Sequence, residues 1–261
     1  MNFVITGGHS GMGLELTKKL LAEGHKIGLI VRSESRKKDT QKLFSIESAV
    51  DIFVADLSKR TEITDVANQI KSSWEKADGL FNNAGLLLDK LYYSDYGNEL
   101  QLEVNSISPY LLTKALLPLL EKGDTPFVVN TATSGLDGKK SINIPAFKKP
   151  EKFTKLLGSY LDSKLMMVLL MNHLSEEAKK VRFVSVNPEA IKTKMTAGSG
   201  MPFWLKPIRN LFFKSPAHGA QNLYNAAFDA KYKASGIFVS EGKIRPMKYK
   251  ITQAEINQLL A

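Results

Sequence analysis

Tyr160 and Lys164 stand four residues apart in the stretch "SYLDSKL". On a helix that spacing puts both side chains on one face, so a phenol and an ammonium can point into one cleft. A free phenol has a pKa of about 10, and a neighbouring ammonium favours phenolate and lowers that value. Such a tyrosine can give a proton to a carbonyl oxygen or take one from an alcohol. The same spacing arises by chance on solvated helices, so the pair means chemistry only if the chain builds a cleft around it.

The elements that would build the cleft alternate along the chain. Strands are expected at 2–6, 26–31, 51–55, 79–83, 126–131, 181–187 and 236–240, where short β-rich runs such as "NFVIT", "KIGLIV" and "PFVVNT" occur. Helical patterns fill 11–23, 60–74, 97–121, 157–179 and 216–229, and Pro109 and Pro118 mark a kink or boundary in the third of these. Apolar strands separated by helices predict an α/β fold, a single Rossmann-type domain over 1–261. Its doubly wound parallel sheet would have about seven strands, with helices on both faces and ligands at the carboxyl ends.

At the end of the first strand stands "TGGHSGMG", residues 6–13. The commoner glycine triple at i, i+2 and i+5 is absent, yet the physics can be the same. Gly7 permits a tight turn, Gly11 a close backbone approach, and Gly13 close helix packing. The helix N-terminus beyond offers N–H groups to a phosphate anion. His9, Ser10 and Met12 fill the rest of this loop; a surface-loop histidine is the simpler reading of His9, with approach to phosphates the other.

Read with "ADL" at 55–57, "NNAG" at 82–85, Asn105, Tyr160-x-x-x-Lys164 and "VNP" at 186–188, this loop resembles the short-chain dehydrogenase/reductase superfamily. The segments "GNELQLEVNSISPYLLTKALLPLL" and "SPAHGAQNLYNAAF" resemble its retinol-dehydrogenase-like branch. The resemblance implies a nicotinamide cofactor. Tyr160 would be the acid/base, Lys164 would tune it and bond the ribose, and Asn105 would support a proton relay. Asp56 and Leu57 would lie at the adenine, Asn83, Ala84 and Gly85 along the cofactor, and Pro188, Ile191 and Thr193 at the nicotinamide. "ADL" is otherwise an ordinary helix cap, and Asn105 a helix-bend residue. The hydroxyl that orients the substrate oxygen falls on Thr133 of "VVNTATSG", with Ser134 the alternative if the register slips by one. Glu189 stands where the family usually has glycine, and could repel acidic substrates or turn to solvent.

An acid at the end of the second strand would hold a ribose hydroxyl. Here Val31 fills that place and Arg32 follows, and a guanidinium suits a 2′-phosphate. NADP(H) is therefore expected over NAD(H), with Arg36 to Lys38 read as a solvated helix start. No metal site is expected.

Segments near 135–157 and 194–215 are long and, in the second case, apolar, with Met195, Met201, Phe203, Trp204, Leu205, Leu211, Phe212 and Phe213. They are read first as substrate lids, then as ordinary packing, and last as a membrane-surface contact. The formal charge of +10 has its basic residues scattered along the chain, which predicts lysine-rich exposed faces and no specific nucleic-acid partner. Cysteine is absent, no leader or long apolar run is visible, and a cytoplasmic location is the default. The expected activity interconverts a small hydrophobic carbonyl compound and its alcohol. The rival is a catalytically silent cofactor sensor or scaffold of the same fold; a homodimer or homotetramer is left open.

Overall fold

The computed structural model describes residues 1–45, 49–138, 142–202, 204, 209 and 211–261. Its strands are β1 (Asn2–Thr6), β2 (Lys26–Val31), β3 (Val50–Val54), β4 (Gly79–Asn82), β5 (Phe127–Thr131), β6 (Arg182–Val186), β7 (Ile237–Ser240) and β8 (Lys243–Arg245). The helices are α1 (Gly11–Ala22), α2 (Glu34–Leu43), α3 (Arg60–Ser73), α4 (Leu100–Leu102), α5 (Ser108–Leu120), α6 (Ile144–Lys148), α7 (Ser159–Glu177), α8 (Lys194–Ala197), α9 (Pro216–Phe228) and α10 (Gln253–Leu260). The strands form one sheet in the order β3-β2-β1-β4-β5-β6-β7-β8, parallel throughout except for β8.

Side-chain alternation decides which face each strand residue serves. Phe3 and Ile5 pack on one side with Leu29, Phe81, Val129 and Val184, beneath α1 and α9. Val4 points the other way, with Ile30, Leu80, Val128 and Phe183, beneath α3, α5 and α7. Both faces are covered, which is why the strands read as nearly continuous apolar runs.

α7 carries Tyr160 and Lys164 and is apolar almost all round. The sheet buries one side. Helices α4 and α5 with the turn between them cover most of the rest, and the segment after β8 adds Ile251, Ile256 and Leu259 to the same core. α10 starts with a capping box, the Thr252 hydroxyl accepting from Glu255 N and the Glu255 carboxylate accepting from Thr252 N. Neither β8 nor α10 is among the expected elements, and the expected helix over 97–121 is divided. Between α4 and α5 runs a π-helical turn, Glu103–Ile107. Pro109 has no N–H to offer the carbonyl of Asn105, so the α-helical pattern fails there. Pro118 stays inside α5; it and Lys114, whose carbonyl it leaves unpaired, are both exposed, and water can satisfy that carbonyl.

The buried Glu103 carboxylate fixes this turn. It accepts from Arg60 Nε at 2.7 Å and Nη2 at 3.2 Å and from Asn98 Nδ2 at 2.7 Å. The same Arg60 donates through Nη1 to the Leu260 carbonyl at 2.6 Å, tying α10 to the π turn.

Candidate active site

The chain reverses its direction of sheet growth between β1 and β4, and a crevice opens at their carboxyl ends. Thr6 and the "NNAG" residues shape its floor. The Thr6 hydroxyl accepts from Asn83 N at 3.0 Å and Ala84 N at 2.9 Å. Asn83 Nδ2 donates back to the carbonyls of Thr6 at 3.1 Å and Gly7 at 3.3 Å. Asn82 faces the other way and donates to Asn130 Oδ1 at 2.9 Å and Thr113 Oγ1 at 3.1 Å, joining β4 to β5 and α5. The motif is thus a structural seam first, and it leaves Gly85 as a gap. A Cβ there would sit 3.1 Å from Asn105 Oδ1 and 3.5 Å from Lys164 Nζ.

The glycines of the loop have distinct duties. Gly7 has φ +67° and Gly11 φ +55°, a region that favours glycine. A Cβ on Gly13 would lie 2.4 Å from the Gly7 carbonyl oxygen and 2.6 Å from Asn83 Nδ2. Gly13→Ala is therefore expected to destabilise the fold by about 1–3 kcal/mol through overpacking, measurable as a lower urea midpoint with unchanged slope. A Cβ on Gly11 would meet only Thr193, at 3.4 Å and beyond, so loop and Thr193 face each other across a narrow gap.

Tyr160 lies in the first turn of α7 and is buried, and the Thr133 side chain stands near enough to its hydroxyl to draw its pKa down. Thr133 and the exposed Ser134 both line the cavity. Lys164 is buried one turn on and donates from Nζ to the Thr131 carbonyl at 2.7 Å, at the end of β5. Asn105 Oδ1 accepts from Leu86 N at 2.7 Å, while its Nδ2 donates to the Leu86 carbonyl and to Ser163 Oγ, both at 3.0 Å. Ser163 Oγ in turn donates to the Tyr160 carbonyl at 2.7 Å. Ser163, absent from the expected set, thus fastens the Tyr160 turn to the π turn; in the sequence it is only a small polar residue beside the lysine.

One expectation is corrected. The ammonium does not bring the phenol's pKa below its ordinary value here. Burial pushes Tyr160 up to about 12, with the Thr133 hydrogen bond opposing, and burial pushes Lys164 down to about 8. Desolvation outweighs mutual attraction because both groups are deep in the wall.

At the far end of the crevice, exposed Arg32 pairs from Nε with Asp56 Oδ2 at 3.0 Å. Burial would raise the Asp56 pKa, but hydrogen bonds from Ser58 and Arg32 hold it below the ordinary carboxylate value. The Leu57 carbonyl accepts from Ser108 Oγ, which joins this strand end to α5. His9 is not a freely solvated loop residue. Its Nδ1 is buried with no hydrogen-bond partner, and burial, then Arg36 and Lys194, lower its pKa. With Ser10 these side chains line a hollow of about 260 Å³ beside the glycine loop. Arg36, expected to be merely solvated, is one of its walls.

After β6 the chain turns sharply. Glu189 has φ +71°, and its carboxylate Oε1 lies 3.2 Å from His218 Nε2 at the start of α9. Met12 and the Pro188–Ile191 turn line the cavity. Ile191 bridges to Lys214, and Thr193 caps α8, its hydroxyl accepting from Thr196 N at 3.2 Å.

The cavity around the Tyr160 hydroxyl has a volume of about 230 Å³ and is mostly apolar. Leu156 and Leu157 from one expected lid, and Met195, Met201 and Phe213 from the other, complete its rim. Lys155 Nζ donates to the Ser199 carbonyl at 2.9 Å, joining the two segments. Leu211 and Phe212 are exposed, at 79% and 71%. Lys139, Lys140, Ser141, Phe203, Leu205 and Lys206 of the expected lids lie outside the described residues. Among the described residues no helix is long and apolar enough to cross a membrane.

The family described as short chain dehydrogenase matches residues 2–201. A short chain dehydrogenase/reductase of Colletotrichum higginsianum is 31% identical over 251 residues, covering 86% of this chain and 62% of that protein, so the chain spans under two thirds of that relative. Mouse retinol dehydrogenase 11 is 26% identical over 255 residues, covering 95% of this chain and 79% of its own. Among solved structures, a short chain dehydrogenase from Escherichia coli CFT073 complexed with NADPH superposes with a TM-score of 0.72 at 24% identity, covering 92% of this chain and 95% of the other.

Proposed function

We propose that this chain, which belongs to the short chain dehydrogenase family, is an NADP(H)-dependent oxidoreductase that interconverts a hydrophobic carbonyl compound and its alcohol. The observation that carries the reading is buried Tyr160 beside Thr133 on the wall of one mostly apolar cavity, with Lys164 buried one turn behind it.

The residues present fit the cofactor. The glycine loop offers N–H groups at the start of α1, with no Cβ at Gly11 or Gly13 to obstruct it. The orphaned His9 Nδ1, Arg36 and Lys194 line one hollow with Asp39, which lies 3.8 Å from Arg36, and with Arg32 at the end of β2 they supply donors suited to a 2′-phosphate. Asn83, Ala84 and Gly85 would flank the cofactor, Asp56 and Leu57 its adenine, and Pro188, Ile191 and Thr193 its nicotinamide. When bound, the nicotinamide supplies or accepts the hydride.

The rest is work for this chain's own groups. Tyr160 donates its hydroxyl proton to the substrate oxygen, and Thr133 holds that oxygen by a second hydrogen bond. The phenolate left behind is stabilised by Lys164. Asn105 and Ser163 hold the first turn of α7 and support the relay that restores the proton. Near pH 7 both groups suit carbonyl reduction, because a pKa of about 12 keeps the phenol protonated and one of about 8 keeps the lysine mainly charged. Leu156, Leu157, Met195, Met201 and Phe213 close an apolar wall over the substrate.

The test is NADPH oxidation against a panel of hydrophobic aldehydes and ketones. Turnover of some member supports the reading; nucleotide binding with no turnover across a broad panel defeats it. The cofactor assignment has its own check. Arg32→Asp is expected to weaken NADPH at least tenfold relative to NADH, read as the ratio of dissociation constants. An unchanged ratio discards the role given to the end of β2.

A further inference from the structure

Among the described residues, the cavity around the Tyr160 hydroxyl is lined by only two charged side chains, Lys164 and Glu189. Lys164 is spoken for. Glu189 is not, and two features mark it as a retained rather than an indifferent residue. Its backbone lies in the left-handed region, φ +71°, where glycine would be at ease and a longer side chain is strained. Its N–H donates to Asn187 Oδ1 at 3.0 Å, and its carboxylate lies 3.2 Å from His218 Nε2 without a hydrogen bond between them. An acidic residue thus stands in the wall of a mostly apolar cavity, its side chain partly exposed, against the preference of its own backbone.

We propose that Glu189 sets the balance between the two redox forms of the cofactor, favouring the oxidised ring. The inference rests on the NADP(H) reading above, because the nicotinamide must share the Tyr160 cavity for hydride and proton to reach adjacent atoms of one substrate. The oxidised ring carries a positive charge and the reduced ring none, so a carboxylate in a partly dehydrated wall attracts one and is indifferent to the other. Lys164 opposes this attraction equally in every form compared below. Tighter binding of the oxidised form lowers the reduction potential of the bound pair. That drives the balanced reaction toward alcohol: the carbonyl carbon gains the hydride, its oxygen gains the Tyr160 proton, and the cofactor is left oxidised.

The experiment needs no substrate. Wild-type protein and the Glu189→Gln, Glu189→Gly and Glu189→Asp variants are titrated with NADP+ and with NADPH, separately, by calorimetry. Glycine relieves the strained backbone, so that variant remains folded. In the Gln and Gly variants the ratio Kd(NADP+)/Kd(NADPH) is expected to rise about tenfold, equivalent to about 30 mV for a two-electron couple. The Asp variant keeps the wild-type ratio. A ratio that moves less than twofold in both Gln and Gly variants overturns the inference while leaving the oxidoreductase reading intact. A wild-type protein that binds neither nucleotide overturns that reading, and this inference with it, before any variant is made.

Discussion

Tyr160→Phe is expected to lower turnover of any carbonyl substrate by about 10²–10⁴-fold, the usual worth of a positioned proton donor, while NADPH binds with nearly unchanged affinity. Phenylalanine keeps the ring that fills the first turn of α7 and removes only the phenol oxygen beside Thr133. The variant separates roles cleanly: kcat falls, and the dissociation constant for the cofactor stays. If kcat drops less than about tenfold, the proton comes from elsewhere, and Ser134, which lines the same cavity, becomes the group to remove next.

Lys164→Met is expected to do two opposite things. Activity falls at least about 10²-fold, because the phenolate loses the charge that stabilises it. Cofactor-free protein, however, becomes more stable at pH 7. Burial lowers the lysine pKa from 10.5 to about 8, so the folded state holds a charge it disfavours. The sign follows from proton counting. Between pH 8 and 10.5 the unfolded chain binds the lysine proton more than the folded one does, so wild-type stability rises with pH in that window. The shift is equivalent to about 3 kcal/mol, a penalty in full force below pH 8. Tyr160 acts in the other direction at higher pH. Its phenol ionises near 10 when unfolded and about 12 when folded, so its contribution is lost as pH climbs from 10 to 12. Denaturant titrations of both proteins at pH 7 and pH 10 measure this: the stability advantage of the methionine variant should shrink markedly at the higher pH. A variant less stable than wild type at pH 7 would show that the Thr131 hydrogen bond outweighs desolvation. Function here is held at the expense of stability, as is common in active sites.

How much of this could be read from residues alone varies with the kind of interaction. The glycine loop was legible because left-handed backbone and close packing are demands that only glycine meets, and Gly7, Gly11 and Gly13 meet them. The face alternation of the strands was legible from apolar runs. Tyr160 and Lys164 were legible from helical spacing, yet their electrostatics were not: spacing shows that two groups are neighbours, and burial decides which way their protons shift. The choice between Thr133 and Ser134 is a one-residue matter that composition does not settle, and both line the cavity. Pro109 and Pro118 looked equivalent in the sequence. Only the surroundings distinguish them, since one leaves an interior carbonyl unmatched beside Asn105 and the other an exposed one. Ser163 and His218 gave no local signal; each matters through a partner dozens of residues away, Asn105 in one case and Glu189 in the other. The capping box of α10 was present in "TQAEINQLL" and could have been found.

The two borders of the sheet bear on how copies of this chain treat one another. A border strand offers unpaired amides and carbonyls to any strand that drifts alongside. Here one border is β8, three residues long, running against the rest and bearing Lys243 and Arg245; the other is β3, where Asp51 is engaged by Lys26 and the Trp74 indole. Two molecules aligned β8 to β8 would press like cations together. The fold thus discourages runaway ribbon growth from molecule to molecule, and any pairing between copies is steered to the helical faces instead.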